Sequence, residues 1–156
     1  MLVYMSFGGA KYVAEFVHKN QDVVGWCYTP QYWGNDPTER FFLDNGAFTA
    51  FQQECAWNQD EFVSALARHK YPNREPDFIV LPDVVGYGRE TLKRSLAWLN
   101  FQPDRPWYMA VQNGMFPAML TKPILKKIKG IFVGGSFEWK ERTAKVWSEF
   151  AHKNGL

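Results

Sequence analysis

Residues 78–86 read Phe-Ile-Val-Leu-Pro-Asp-Val-Val-Gly, an apolar run that ends in Asp83 and then in a glycine. Residues 41–48, Phe-Phe-Leu-Asp-Asn-Gly-Ala-Phe, repeat this arrangement around Asp44. Short apolar runs bounded by turn residues indicate buried strands. A polar residue at the carboxyl end of such a strand is where α/β proteins place ligand contacts. Both stretches therefore predict strands that deliver a carboxylate to a site.

Two later runs end in the same manner. Residues 107–114, Trp-Tyr-Met-Ala-Val-Gln-Asn-Gly, place Gln112 at a strand end, and residues 131–135, Ile-Phe-Val-Gly-Gly, end in two glycines. The carboxyl ends of parallel strands meet at one edge of a sheet. Four such ends in one chain therefore predict a single site.

Helical patterns alternate with the apolar runs, which is typical of parallel βαβ construction. Strands are predicted at 2–7, 22–28, 40–44, 77–82, 107–112 and 130–134. Helices are predicted at 10–19, after a cap at Asn58, at 89–100, at 117–128, and after a cap at Ser136 as far as residue 153. Residues 1–156 are thus predicted to form one α/β domain, an incomplete (β/α) barrel of TIM type with about five or six of the eight βα units. An open doubly wound parallel sheet is the alternative.

Composition narrows the class of protein. The chain has 156 residues, is 46% hydrophobic and 17% aromatic, and carries a net charge of +2. These values indicate a globular domain, and the balanced charge argues neither for nor against nucleic acid. A cluster formed by Lys122, Lys126, Lys127 and Lys129 favours a solvated helix face over a phosphate contact.

The amino terminus reads as a first strand, and neither a signal peptide nor a membrane span is predicted. Cys27 and Cys55 have no zinc-like spacing, so we expect reduced, partly buried thiols in a cytoplasmic protein. His18, His69 and His152 are predicted at the surface near helix ends. We predict no metal and no cofactor, so that the chemistry rests on carboxylates and amides.

The residues themselves leave several roles open. Asp44 reads equally as a turn former and as an acid/base group or base-binding carboxylate, and for Asp83 the preceding Pro82 strengthens the turn reading. Gln112 is costly to bury without a partner, and the edge of a planar ligand would supply one. Tyr87 is expected to pack or to stack on a flat ligand. The same two readings apply to Phe48, with core packing favoured. Paired Gly134 and Gly135 would let backbone approach a ligand closely.

Taken in order, these four stretches resemble the tRNA-guanine transglycosylase superfamily. The matching residues are Leu-Asp-Asn-Gly-Ala-Phe (43–48), Leu-Pro-Asp-Val-Val-Gly (81–86), Ala-Val-Gln-Asn-Gly-Met (110–115) and Phe-Val-Gly-Gly-Ser (132–136). The likeness is closest to the shorter 7-deazaguanine DNA-modification transglycosylases of phages and bacteria, and covers roughly residues 40–140.

The resemblance implies a (β/α) barrel that replaces guanine in nucleic acid by a 7-deazaguanine, through an aspartate that attacks the ribose C1′. Asp44 would lie near the glycosidic bond and handle protons or contact the incoming base. Asp83 would accept hydrogen bonds from N1 and the 2-amino group of the base. Gln112 would bind the 6-oxo edge, and Gly134 and Gly135 would present backbone amides to the ring.

Two departures from the family pattern shape the expected function. The family's nucleophilic aspartate lies on a later strand, whereas the late carboxylates here, Glu138, Glu141 and Glu149, fall on the last predicted helix. We therefore expect a base-recognition portion that lacks the nucleophile. Asn45 and Ala47 stand where the tRNA enzymes usually have Ser and Gly, which favours DNA over tRNA.

The expected partners are a guanine or 7-deazaguanine base, nucleic acid, and a second chain or second copy that completes the barrel. No membrane partner is expected, and the expected compartment is the cytoplasm, that of the host if the gene is a phage gene. One alternative is a non-enzymatic purine-binding module or partner subunit. Another is an unrelated (β/α) hydrolase or lyase that uses Asp44 and Asp83 as an acid/base pair.

Overall fold

The computed structural model describes residues 2–6, 11–32, 40–68 and 75–156. The strands are β1 (Val3–Ser6), β2 (Val24–Tyr28), β3 (Phe41–Leu43), β4 (Ile79–Val80), β5 (Trp107–Val111) and β6 (Gly130–Val133). The helices are α1 (Lys11–Lys19), α2 (Ala47–Gln52), α3 (Gln59–Arg68), α4 (Gly88–Phe101), α5 (Lys122–Leu125) and α6 (Phe137–Lys153), with a 3-10 turn at Pro117–Met119. Every strand predicted from the sequence is present, although residue 7 of the first one and residue 10 of the first helix lie outside the described ranges.

The six strands form one parallel sheet whose spatial order, β1 to β6, is the order of the chain. A doubly wound sheet needs a point at which the strand order reverses, and this order never reverses. The sheet curls into a half barrel, so the predicted incomplete (β/α) barrel is confirmed and the doubly wound alternative is wrong.

The outer face of the sheet carries the main core. Alternate residues of each strand point toward the helices, among them the fully buried Phe41, Ile79 and Trp107. Helices α3 and α4 meet these residues with Phe62 and Leu99, which are also fully buried. Because helices follow β3, β4, β5 and β6 on this side of the sheet, this core is continuous from one of these βα units to the next.

The concave face of the sheet holds a second, aromatic cluster. The Phe78 ring stacks between Phe42 at 4.5 Å and Tyr108 at 4.1 Å between ring centroids. Tyr4 meets Phe42 edge to face at 5.0 Å. A side chain at Gly130 would collide with the Tyr108 ring, so the glycine makes room for it. This cluster fills the barrel interior below the carboxyl ends of the strands.

Some elements differ from the prediction. Helix α2 was not predicted, because it begins at Gly46 in a left-handed conformation (φ 77) without a side-chain cap. The stretch predicted as one helix at 117–128 divides into the 3-10 turn and the short α5, since a proline opens each piece. Cys55 is exposed, whereas Cys27 is partly buried as predicted.

The two helix caps predicted from the sequence, Asn58 and Ser136, are present in the structure. Asn58 Oδ1 accepts from the backbone N–H groups of Asp60 at 3.0 Å and Glu61 at 3.2 Å. Ser136 Oγ accepts from the Trp139 N–H at 3.4 Å at the start of α6. Both caps satisfy amide groups that the first turn of a helix leaves without intrahelical acceptors.

The apolar pattern of the last helix predicts that Val146, Trp147 and Phe150 are all buried, and the orientation of α6 corrects this for one of them. Trp147 is 1% exposed as predicted, and Phe150 is partly buried, but Val146 is 50% exposed. The helix instead turns Trp139 inward, eight residues before Trp147, along one stripe. No helix within the described ranges is both long enough and apolar enough to cross a membrane.

Neighbouring positions on α6 should differ sharply in their effect on stability. We expect Trp147→Ala to lower the free energy of unfolding by about 3–5 kcal/mol, because it leaves a cavity in the core. The matched control Val146→Ala should change it by less than about 0.5 kcal/mol. Urea unfolding followed by far-UV circular dichroism measures both values, and equal losses would contradict this orientation of the helix.

Candidate functional site

The carboxyl ends of β3 to β6 surround one cavity of about 210 Å³. Its lining contains six of the seven predicted site residues: Asp44, Phe48, Asp83, Gln112, Gly134 and Gly135. The seventh, Tyr87, does not line the cavity and is 62% exposed just before α4. The sequence expectation that the four strand ends meet at one place is confirmed.

A buried carboxylate held by two amides forms the polar wall of the cavity. Asn45 Nδ2 donates to Asp83 Oδ1 at 2.9 Å, and Gln112 Nε2 donates to Asp83 Oδ2. All three side chains are at most 7% exposed. We call these three residues the amide–carboxylate cluster. Each carboxylate oxygen has a second lone pair, so Asp83 retains acceptor capacity toward a ligand.

The second amide of this cluster is fixed at both ends. Gln112 Oε1 accepts from the Gly86 N–H at 3.0 Å. Its Nε2 donates one hydrogen to Asp83, which leaves the second hydrogen of Nε2 for a ligand. A side chain at Gly134 would collide with the Gln112 amide. Glycine at this position therefore keeps Gln112 oriented across the cavity.

The backbone that carries Asp83 is pinned by the helix that follows it. Three successive carbonyl groups accept hydrogen bonds from side chains of α4, at distances of 2.8–3.0 Å. The pairs are Ser95 with Pro82, Arg94 with Asp83, and Thr91 with Val84. Rigid support of this kind holds a binding group in one geometry before the ligand arrives.

The two glycines that follow β6, Gly134 and Gly135, differ in whether the backbone N–H is already hydrogen-bonded. The Gly134 N–H donates to the Val111 carbonyl at 3.0 Å, so it is not available to a ligand, and the expectation of two free amides is wrong for Gly134. Gly135 adopts a left-handed conformation (φ 84) in which a side chain would collide with Asn113 and Trp139. The Gly135 N–H has no acceptor within the described residues, and it remains a candidate donor.

Asp44 also lines the cavity, and its side chain accepts one hydrogen bond from the backbone. Its Oδ1 accepts from the Gly46 N–H at 2.8 Å, which is the turn geometry predicted from the sequence. Surrounding protein atoms replace most of its water, and this desolvation raises the pKa of Asp44 to about 6. The Gly46 hydrogen bond opposes the rise, and the charge of Asp83 adds to it.

Neighbouring groups show the same influence of burial. Burial raises the pKa of Asp83, while the amide donors Asn45 and Gln112 work in the opposite direction. Burial also raises the pKa of the Cys27 thiol to about 12, with a further contribution from the Asp44 charge. Cys27 is therefore a neutral thiol at physiological pH and is not an activated nucleophile.

Apart from Lys140, the remaining walls of the cavity are apolar. Val80, Val85 and Phe132 line it, and Phe48 lines it while remaining 57% exposed. Core packing of Phe48, the favoured interpretation of the sequence, is wrong because α2 turns that ring toward the cavity and solvent. A slot with flat apolar walls and a polar edge suits a planar heterocycle.

Five lining residues were missed as site residues by sequence reasoning, namely Asn45, Val80, Val85, Phe132 and Lys140. Asn45 sits beside Asp44, and only the structure reveals that its amide reaches Asp83. Phe132 precedes Gly134 by two residues, so strand alternation could have placed it on the same face. Lys140 reaches the cavity from α6, and no sequence pattern pointed to it.

No family model, no curated protein and no solved structure matches this chain. The four motifs alone carry the resemblance to the transglycosylase superfamily. In the described part of the chain, no three His, Cys, Asp or Glu side chains come together as a metal site. His18 and His152 lie in the last turns of α1 and α6, and His69 is outside the described residues.

The acidity of Asp44 can be tested directly. We expect the side-chain carboxyl carbon of Asp44 to titrate near pH 6 in a ¹³C NMR pH series. In Asp83→Asn the pKa of Asp44 should fall, because a neighbouring like charge is removed. An unshifted Asp44, titrating as a solvent-exposed aspartate does, would contradict this environment.

The same shift predicts a pH-dependent stability. The folded state holds a proton on Asp44 more tightly than the unfolded state, so this stabilisation is complete below about pH 4 and is lost as the pH rises through about 6. Asp44→Asn should therefore be more stable than the parent above pH 7, by about 1–3 kcal/mol, with the difference vanishing at low pH. Urea unfolding at pH 4, 6 and 8 measures this, and a constant difference would contradict it.

Proposed function

We propose that this chain is the base-recognition part of a transglycosylase that exchanges guanine in nucleic acid for a 7-deazaguanine. The observation that carries the proposal is the amide–carboxylate cluster beside an apolar slot. The order of the four motifs, in which this chain resembles the tRNA-guanine transglycosylase superfamily, supports the same proposal. DNA is the favoured polymer, because Asn45 and Ala47 depart from the residues usual in the tRNA enzymes.

The cluster matches the edge of a guanine-like ring. Such a ring presents two donors, N1–H and the 2-amino group, next to a carbonyl acceptor. Asp83 supplies acceptors for the donors, and the remaining hydrogen of Gln112 Nε2 or the Gly135 N–H supplies a donor for the carbonyl. A site with buried hydrogen-bonding groups rejects analogues that leave those groups unpaired.

Asp44 is suited to proton handling in this scheme. A carboxyl group with a pKa near 6 can both hold and release a proton close to neutral pH. Asp44 lines the same cavity, and the resemblance would place it beside the bond between base and sugar. Asp83, occupied by two amide donors, would read the base and take no part in proton transfer.

The nucleophile is not among the residues that line the cavity. The only carboxylates in the described lining are Asp44 and Asp83, and both have other roles in this scheme. Attack on C1′ would therefore need a carboxylate from a further segment or from a second chain. The same observation favours a second candidate function, a purine-binding module or partner subunit without turnover of its own.

Base recognition can be measured by calorimetry. We expect the chain to bind guanine and 7-deazaguanine and to reject adenine, whose edge lacks the 2-amino donor and the carbonyl. Asp83→Asn should weaken binding by about 10- to 100-fold, as expected for loss of a charged hydrogen-bond acceptor. The control Asp60→Asn, an exposed position in the first turn of α3, should bind as the parent does.

A turnover assay tests the absence of a nucleophile from the isolated chain, which both candidate functions require. Incubation of the isolated chain with radiolabelled guanine and guanine-containing DNA should give no incorporation of label, because the cavity lacks a nucleophile. Robust exchange by the isolated chain would overturn that part of the proposal. Equal affinity for guanine and adenine, unaltered in Asp83→Asn, would overturn base recognition itself.

A further inference from the structure

An exposed aromatic ring follows each of the four strands that build the cavity. The rings are Phe48 after β3, Tyr87 after β4, Phe116 after β5 and Phe137 after β6. They are between 57% and 70% exposed. We call these four residues the aromatic rim. Exposed rings gathered at one end of a domain mark an interaction surface, whereas scattered ones need no explanation.

Their spacing relates the rim to the cavity. Phe48, Tyr87 and Phe116 each lie four residues after a cavity side chain, namely Asp44, Asp83 and Gln112. Phe137 lies three residues after Gly134. Each strand end therefore contributes first a group to the cavity wall and then, three or four residues later, an exposed ring, which for Phe48 also lines the cavity.

Asn113 connects the loops that carry three of these rings. Its carbonyl accepts from the Gly88 N–H at 3.0 Å, next to Tyr87. Its side-chain oxygen accepts from the Ser136 N–H at 2.9 Å, next to Phe137, and Phe116 follows three residues later on its own loop. The three rings are therefore displayed from loops that are hydrogen-bonded to one another beside the cavity.

The rings of Tyr87, Phe116 and Phe137 have no aromatic partner within the described residues, whereas Phe48 stacks loosely on Phe51 at 6.5 Å. Base pairs in a duplex would offer such rings only the edges of the bases. Unpaired bases offer flat faces, and stacking of bases on aromatic side chains is how proteins bind single strands without reading sequence.

Resting on the proposed function, we propose that the aromatic rim binds single-stranded nucleic acid, stacking the bases that flank the one held in the cavity. Among the described residues of α4 and α6, two cations lie close in sequence to rings of the rim. Lys140 and Arg89 are exposed there, each with an acidic neighbour on its own helix, Glu138 and Glu90. Stacking and not phosphate attraction would therefore supply most of the affinity.

Fluorescence anisotropy tests the proposal with the full chain. The probes are a fluorescein-labelled 12-nucleotide DNA with one central guanine, the same sequence in RNA, and the DNA in duplex form. We expect single strands to bind more tightly than the duplex. Each of Tyr87→Ala, Phe116→Ala and Phe137→Ala should weaken single-strand binding by about five-fold or more. The logarithm of the affinity should change with the logarithm of salt concentration with a slope shallower than about −2.

Phe101→Ala is the matched control. Phe101 is 71% exposed, but it ends α4 at the opposite side of the domain from the cavity. Its replacement should leave single-strand affinity unchanged, and circular dichroism confirms that every variant is folded. Loss of affinity in Phe101→Ala equal to that in the rim variants would overturn a specific role for the rim. Rim variants that alter only self-association in sedimentation, with unchanged strand binding, would overturn it too.

Calorimetry with free guanine separates this proposal from the previous one. Rim variants other than Phe48 should bind the free base as the parent does, because their rings lie outside the cavity lining. Strand binding that depends on the rim, in a chain that does not bind guanine, would leave the rim in place and overturn base recognition. Guanine binding together with strand affinity that is equal in parent and rim variants would support base recognition and overturn the role of the rim.

Discussion

The buried carboxylate of Asp83 is the constraint on which the site depends. A carboxylate that is 7% exposed is costly unless donors surround it, and its donors come from two other strand ends, Asn45 after β3 and Gln112 after β5. The hydrogen bonds therefore form only when the three strands lie side by side in the same register. The geometry of the site therefore depends on the order of the strands in the sheet. Side chains of α4 add to this support by donating hydrogen bonds to the backbone carbonyls around Asp83.

Below this polar layer the aromatic cluster determines how the sheet can curl. The stacked rings of Phe42, Phe78 and Tyr108 come from three neighbouring strands and occupy the interior that a complete barrel would enclose. Small residues stand where these rings need space, as at Gly130. The interior is thus filled beneath the strand ends, and the cavity lies at the carboxyl ends of the strands.

Much of the fold was predictable because its signals are local. Each apolar run bounded by turn residues marked a strand, and the caps at Asn58 and Ser136 marked helix starts. Helix orientation was less predictable, since Val146 and Trp147 are both apolar and only packing against the sheet decides which is buried. The site residues were likewise predictable where the signal is local and unpredictable where tertiary contacts decide. Strand ends indicated Asp44, Asp83 and Gln112, whereas the reach of Lys140 from α6 and the outward turn of Phe48 depend on tertiary contacts that the sequence does not display.

Two carboxylates in one cavity need not act as a pair. Asp83 is held by two side-chain amides and a pinned backbone, so its environment favours fixed hydrogen bonds. Asp44 has one backbone donor and a desolvated setting that raises its pKa to about 6. Burial raises the pKa of both groups, so the hydrogen-bond donors around each carboxylate are what distinguish the two environments. A symmetric acid/base pair, as a hydrolase would use, would not need two buried amides bound to one of its members. The division of roles thus favours recognition of a planar base over hydrolysis by the two aspartates together.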